Sequence, residues 1–203
     1  MAQQAKIITW DIIILFAIGI VCIASLLMLN GVFIAFIENL GWSPDGVQVD
    51  LSGARQYLTA IVMVGIFPAV LEEIIFRGFL LWLFLRMGKF WAILLTSVLF
   101  SAFHLNWSQT LYQFILGLIL AYVVVRTGKL WYAIILHFIN NFLVITYTYI
   151  ATVNSHEISL QLNYFELTPT TLFSTFFLAL IGGIAIISLL RLLNEKETIN
   201  ATD

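Results

Sequence analysis

Charged residues, cysteine and proline are all scarce in this chain of 203 residues. Only 10% of the residues are charged, and no cluster of Lys and Arg supplies the cationic surface that nucleic-acid binding requires. The single cysteine, Cys22, excludes an intramolecular disulfide and a cysteine-rich metal site. The chain is instead 62% hydrophobic, compared with roughly 45–50% in soluble domains. A lipid bilayer is therefore the expected solvent.

Six apolar stretches cover most of the chain, each separated from the next by a polar or turn-like break. A helix needs about 20 apolar residues to cross the bilayer core. The first stretch, residues 12–37, is too long for the apolar core of a signal peptide, so we interpret it as a retained spanning helix. The pattern predicts an all-α, polytopic transmembrane bundle of about six spans.

The second stretch, residues 54–85, is too long for one perpendicular crossing, and Pro68 lies near its middle. Proline removes a helix hydrogen bond and favours a kink, so we expect one long helix that is kinked or broken. A single net crossing places the basic connections on one side, which predicts that both termini are cytoplasmic. Residues 1–193 are predicted to form one membrane-embedded domain, followed by a polar tail at residues 194–203.

Two adjacent carboxylates and an arginine interrupt this stretch at Glu72, Glu73 and Arg77. Each ionisable group inside a span costs about 2.5–3.5 kcal/mol on insertion scales, so a function is expected. Glu73 and Arg77 are four residues apart and can pair on one helix face. Glu72 points about 100° away and is left free to act as a base. The alternative is a structural ion-pair network that clamps two helices together.

Two further polar clusters lie in later apolar stretches. The first ends at His104, and the second contains His137 and Asn141, with Asn140 as a substitute for Asn141 near the same face. His137 and Asn141 present two hydrogen-bond donors that could stabilise negative charge on a carbonyl oxygen. Counted from the basic ends of their helices, His104 lies about 20 Å deep and His137 about 10 Å. The two helices must be offset or tilted if these residues are to meet.

The clusters fit hydrolysis of an amide bond. Glu72, aided by His104, would deprotonate a water that attacks the carbonyl, while His137 and Asn141 stabilise the oxyanion. The set Glu72, His104 and His137 could alternatively bind a catalytic zinc ion. We favour the scheme without a cofactor, because asparagine is a poor zinc ligand and the sequence contains no His-Glu-x-x-His motif.

The three clusters together resemble the motifs of the CPBP family of Rce1-like intramembrane proteases, also called the Abi or CAAX-protease-like family. The motifs are Glu-Glu-x-x-x-Arg at Glu72, Glu73 and Arg77, Phe-x-x-x-His at Phe100 and His104, and His-x-x-x-Asn at His137 and Asn141. The ordered set, at intramembrane positions, is more specific than any one motif. The resemblance covers roughly residues 55–145.

The resemblance implies an intramembrane endopeptidase in which Glu72 and His104 activate water and His137 and Asn141 form the oxyanion site. The other three motif residues, Glu73, Arg77 and Phe100, have supporting roles. It also implies helices around a polar, water-accessible cavity, and a metal-free mechanism, although the family has long been called metalloproteases. Bacterial relatives are linked to bacteriocin immunity, pheromone processing and envelope regulation. We therefore expect a bacterial cell-membrane protein that acts on a membrane-associated peptide or protein.

Two other classes of function remain open from the sequence. A non-enzymatic immunity or scaffold protein would use the polar clusters to hold helices together and to bind a partner. A proton-coupled transporter would use the carboxylates as a relay, but the sequence shows no matched pair of interrupted helices. Replacement of Glu72 distinguishes the enzyme from the scaffold, because only the enzyme would lose cleavage while staying folded.

Overall fold

The computed structural model describes residues 2–42, 49–154 and 167–200. We number its helices in chain order: α1 (Ala2–Asn39), α2 (Ala54–Met87), α3 (Lys89–Phe103), α4 (Thr110–Thr127), α5 (Leu130–Asn154) and α6 (Pro169–Asn200). A 3-10 turn, Trp107–Gln109, leads into α4. The described residues contain no strand, so the predicted all-α class is confirmed.

Within the described residues, five helices are long and apolar enough to cross a membrane, whereas α3 has only 15 residues. A helix of that length rises about 22 Å, less than the hydrocarbon core of about 30 Å. Helix α3 follows Gly88, whose φ is 97°, and ends just before His104 and Leu105, where φ is 49°. Turns at both ends therefore limit α3, and the predicted bundle of about six spans contains five long helices and one short helix.

The outer faces of the helices are apolar. Large hydrophobic side chains are exposed along α2 and α6, among them Phe67, Leu71, Phe173 and Phe176. Soluble monomers rarely expose a contiguous apolar surface of this extent, whereas lipid accommodates it. The chain is an integral membrane protein, as predicted, and the cytoplasmic location of its termini stays a prediction.

The last helix, α6, extends to Asn200 and so continues past the predicted start of the polar tail at residue 194. Residues 201–203 of that tail lie outside the described residues. The division into one membrane domain and a tail stays a prediction.

Helix α2 is one continuous element that contains two π-helical segments, Ile61–Ile66 and Ile74–Leu80. At the end of the first segment, the N–H of Phe67 donates to the carbonyl of Val62, five residues earlier. Pro68 follows directly and has no N–H to donate. The helix thus widens into a π turn just before the proline. The predicted irregularity near Pro68 is therefore a π segment rather than a break.

The π segments change the spacing of the buried positions in α2. An α-helix returns to the same face every 3.6 residues, whereas a π turn contains more residues. The innermost positions of α2 are therefore four or five residues apart: Ala60, Gly65, Ala69, Glu73, Arg77 and Leu81. This spacing directs both Glu73 and Arg77 to the interior of the bundle.

Helix α1 packs against α4, α5 and α6, and their buried side chains form the main apolar core. Close approach depends on small residues, as is usual between membrane helices. A Cβ atom on Gly117 of α4 would lie 3.1 Å from Ser97 of α3, and one on Gly182 would contact Ser25 of α1. The remaining helices, α2 and α3, meet α5 beside this core, and these three helices carry the polar residues.

Candidate active site

The motif residues come from three helices. Glu72, Glu73 and Arg77 lie near the middle of α2, Phe100 and His104 lie at the end of α3, and His137 and Asn141 lie in α5. Helices α2 and α5 are antiparallel, with His137 beside Glu73 and Asn141 beside Val64. The structure therefore brings residues from three separate stretches of the sequence to one region of the bundle.

Glu73 is the centre of a buried ionic network. Its Oε1 atom accepts hydrogen bonds from Arg77 Nη1 and from His137 Nδ1, both at 2.8 Å. The side chains of Glu73 and Arg77 are fully buried, and that of His137 is 3% exposed. The predicted pairing of Glu73 with Arg77 is confirmed. The bond to His137 was not predicted, because helical spacing carries no information about contacts between separate helices.

Arg77 is held by groups on three helices. Its guanidinium carbon lies 4.1 Å from the ring centroid of Phe100, and its Nη2 donates to the carbonyl of Gly117 at 3.3 Å. The Phe100 ring also packs edge-on against His104 and His137, with centroid separations of 4.9 and 5.7 Å. Phe100 therefore contacts the arginine and both imidazoles and helps to hold the two rings in position.

Glu72 faces the two histidines without a direct hydrogen bond to either. Its Oε2 atom lies 4.0 Å from His104 Nε2 and 4.0 Å from His137 Nε2. It accepts no hydrogen bond from the described residues, although the atom itself is buried. A separation of 4.0 Å exceeds a hydrogen bond and matches the gap that one bridging water can span.

Hydrogen bonds fix the tautomers of both histidines. His104 Nδ1 lies 2.8 Å from the carbonyl oxygen of Phe100, which can only accept, so Nδ1 carries the hydrogen. His137 Nδ1 carries a hydrogen for the same reason, because it faces the carboxylate of Glu73. The Nε2 atoms of both rings are therefore the ones presented to Glu72.

Asn141 lies one helical turn beyond His137 and is partly buried. Its Nδ2 donates to the carbonyl of Val64 at 3.1 Å, and its Oδ1 accepts from Asn140 Nδ2 at 3.3 Å. One hydrogen of the Asn141 amide is thus used within the protein, and the other is available. Asn140 is buried between Asn141 and α4, so it supports Asn141 rather than replacing it at the surface of the site.

A groove of about 820 Å³ reaches the site between α2 and α3. Glu72 is the charged residue in its wall, and the other lining residues are apolar, including Phe67, Leu71, Leu99 and Phe103. Several of these side chains are on the exposed outer surface of the bundle. An apolar segment could therefore reach Glu72 sideways from the lipid.

Whether Glu72, His104 and His137 could bind zinc is judged from the distances between their ligand atoms. Tetrahedral zinc, with bonds of about 2.0–2.2 Å, keeps its nitrogen and oxygen ligands roughly 3.4 Å apart. Each Nε2 lies 4.0 Å from Glu72 Oε2. In the described part of the chain, no three His, Cys, Asp or Glu side chains are grouped to hold a metal ion. As placed, these three side chains do not form a zinc-ligand set.

Comparison with known proteins identifies the same region. Residues 54–143 match the family described as "Type II CAAX prenyl endopeptidase Rce1-like". The chain is also 27% identical, over 111 residues, to the protein named "Putative membrane peptidase YdiL" from Bacillus subtilis (strain 168). That match covers 54% of this chain and 46% of the relative, so the chain spans less than half of the relative's length. No solved structure matches the chain significantly. Residues 54–143, which contain every motif residue, thus match a family of Rce1-like endopeptidases, and the resemblance that the sequence motifs predicted is confirmed.

Proposed function

We propose that the chain is an intramembrane endopeptidase in which Glu72 activates water without a metal ion. The observation that carries this proposal is the position of Glu72 Oε2, which is 4.0 Å from the Nε2 atoms of both His104 and His137. A water between these three atoms would have a base on one side and an imidazole on each of the others. The match of residues 54–143 to a family of endopeptidases supports the same activity.

In the proposed reaction, Glu72 removes a proton from the water while the water oxygen attacks the carbonyl carbon of the substrate. His104 Nε2 accepts a hydrogen bond from the same water, since its Nδ1 hydrogen is held by Phe100. The C–N bond then breaks, and the proton held by Glu72 passes to the departing amine. The proton taken from water therefore ends on the amine product, and the water oxygen ends on the carboxyl product.

The negative charge that develops on the substrate oxygen would be stabilised by His137 and Asn141. Because His137 Nδ1 already donates to Glu73, donation from Nε2 requires the doubly protonated imidazolium. Glu73 Oε1, 2.8 Å from His137 Nδ1, is the acceptor that orients the imidazole ring.

The proposed substrate is a membrane-associated peptide or protein. The apolar groove between α2 and α3 opens on the lipid-facing surface and leads to Glu72. Apolar segments of a substrate could therefore reach the base without crossing water. We also propose a bacterial cell membrane as the location, with both termini cytoplasmic.

A panel of membrane-tethered peptides, incubated with the purified protein in detergent, tests the proposal. Glu72→Gln should lower cleavage at least about 100-fold, because it removes the general base and changes little else. Glu38→Gln is the matched control, since Glu38 lies at the C-terminal end of α1, which carries none of the motif residues. Both variants should keep the thermal unfolding temperature of the wild type.

Chelator treatment of the wild type tests the metal-free part of the proposal. Unchanged cleavage is the expected result, and loss of cleavage that zinc restores would favour the zinc site. If the folded wild type cleaves no peptide, the polar cluster holds helices together in a scaffold or immunity protein instead. If Glu72→Gln cleaves as fast as the wild type, the chain is a protease in which Glu72 is not the base.

A further inference from the structure

Tyr112 of α4 lies at the start of a chain of hydrogen bonds that ends at Asn141. Its hydroxyl donates to Asn140 Oδ1 at 2.7 Å, and Asn140 Nδ2 donates to Asn141 Oδ1 at 3.3 Å. Asn141 Nδ2 then donates to the carbonyl of Val64 at 3.1 Å. Tyr112 and Asn140 are buried, with 8% and 3% of their surfaces exposed. Three helices, α4, α5 and α2, are thus joined through two side-chain amides.

The direction of every bond in this chain follows from its last member. The carbonyl of Val64 can only accept, so the Asn141 atom that faces it must be the amide nitrogen. Oδ1 of Asn141 then faces Asn140, which must present its own nitrogen. The remaining oxygen of Asn140 faces Tyr112, and the tyrosine hydroxyl must donate.

Pro68 removes one backbone donor that would compete with a side chain for the carbonyl of Val64. In an α-helix, that carbonyl would accept from the N–H of residue 68, four positions later. Proline has no N–H, and the preceding π segment carries the helix past it. The proline and the tyrosine therefore act on the two ends of the same chain.

We propose that Tyr112 is a positioning residue for Asn141. Acting through Asn140, it holds the Asn141 amide in the orientation that leaves one N–H free for the substrate oxyanion. This inference rests on the proposed function, in which Asn141 is an oxyanion donor. The two ends of an amide are nearly equal in shape, so hydrogen bonds alone determine which end points toward the substrate.

Removal of the tyrosine hydroxyl should loosen both amides. Without it, Oδ1 of the buried Asn140 has no donor, so Asn140 is held less firmly and its bond to Asn141 Oδ1 weakens. Asn141 would then be held mainly by its bond to the carbonyl of Val64, and the direction of its free N–H would vary more widely. An N–H that points away from the oxyanion for part of the time stabilises the negative charge less.

The first test compares cleavage by Tyr112→Phe, Asn141→Ala and the double variant. Asn141→Ala should lower kcat about 100-fold, the usual effect of losing one oxyanion donor, and Tyr112→Phe about 10-fold, with KM unchanged in both. In the double variant, Tyr112→Phe should cause no further loss. Tyr57→Phe, which also removes one hydroxyl bond between helices, is the matched control and should retain full kcat.

The second test does not depend on activity. In protein labelled with nitrogen-15 at asparagine, the side-chain amide signal of Asn141 can be identified by its loss in Asn141→Ala. Tyr112→Phe should shift or split this signal, and Tyr57→Phe should leave it unchanged.

The two tests separate the positioning role from the protease activity. If the Asn141 signal responds as expected but the wild type cleaves nothing, the positioning holds and the proposed function is wrong. If the Asn141 signal is unchanged in Tyr112→Phe, or if the two substitutions lower kcat by multiplying their effects, the positioning role of Tyr112 is overturned.

Discussion

Replacing Glu73 with glutamine would remove one negative charge from the interior and almost no volume. Glutamine Oε1 could still accept from Arg77 and His137, so the geometry of both bonds can persist. The new amide nitrogen would replace Glu73 Oε2, a buried atom without a partner among the described residues. The variant therefore tests charge, and not shape, at the centre of the network.

The size of the effect follows from burial. Arg77 is fully buried and pairs with Glu73 at 2.8 Å, so Glu73→Gln leaves a buried positive charge without its counter-ion. Breaking a buried pair by removing one partner costs about 3–5 kcal/mol. In a chain of 203 residues, this corresponds to a fall in Tm of roughly 6–20 °C. We also expect kcat to fall at least about 100-fold, because the negative charge beside His137, a proposed oxyanion donor, is removed.

A second substitution separates the two effects. Arg77→Met, combined with Glu73→Gln, removes the uncompensated charge and keeps an apolar side chain against Phe100. We expect the double variant to recover most of the Tm but none of the kcat. Thermal unfolding in detergent and cleavage of the peptide panel measure the two quantities on the same preparation.

Two results would refute this reasoning. A wild-type Tm for Glu73→Gln would mean that the buried pair contributes no stability, contrary to its burial and geometry. Recovery of kcat together with Tm in the double variant would mean that Glu73 serves only as the counter-ion of Arg77.

Local spacing explains what the sequence could predict. The pairing of Glu73 with Arg77 depends on two residues four apart in one helix, and the motif residues are recognisable as ordered patterns. Contacts between helices are different, because they depend on how far each helix is shifted along its axis. Thus the bond from His137 to Glu73 and the chain from Tyr112 to Asn141 were not predicted.

The predicted depths of the two histidines show the same limit. If α3 and α5 began at the same level in the membrane, His104 and His137 would lie about 10 Å apart along the bundle axis. The structure instead places both Nε2 atoms 4.0 Å from one oxygen of Glu72, so α3 and α5 are offset or inclined. Gly65 and Ala69 are small residues that lie eight and four positions before Glu73. This regular spacing was a signal in the sequence for the inner face of α2.

Two further predictions concern Gly182 and Pro68. Gly182→Val should lower Tm, because its Cβ would collide with α1 and overpacking costs about 1–3 kcal/mol, whereas Gly183→Val should not, since nothing lies within 4 Å. Pro68→Ala supplies an N–H that competes with Asn141 for the carbonyl of Val64. We expect kcat to fall several-fold while Tm stays equal or rises, because the helix gains a backbone bond. A fall in Tm with normal kcat would show that Pro68 stabilises the fold and leaves Asn141 unaffected.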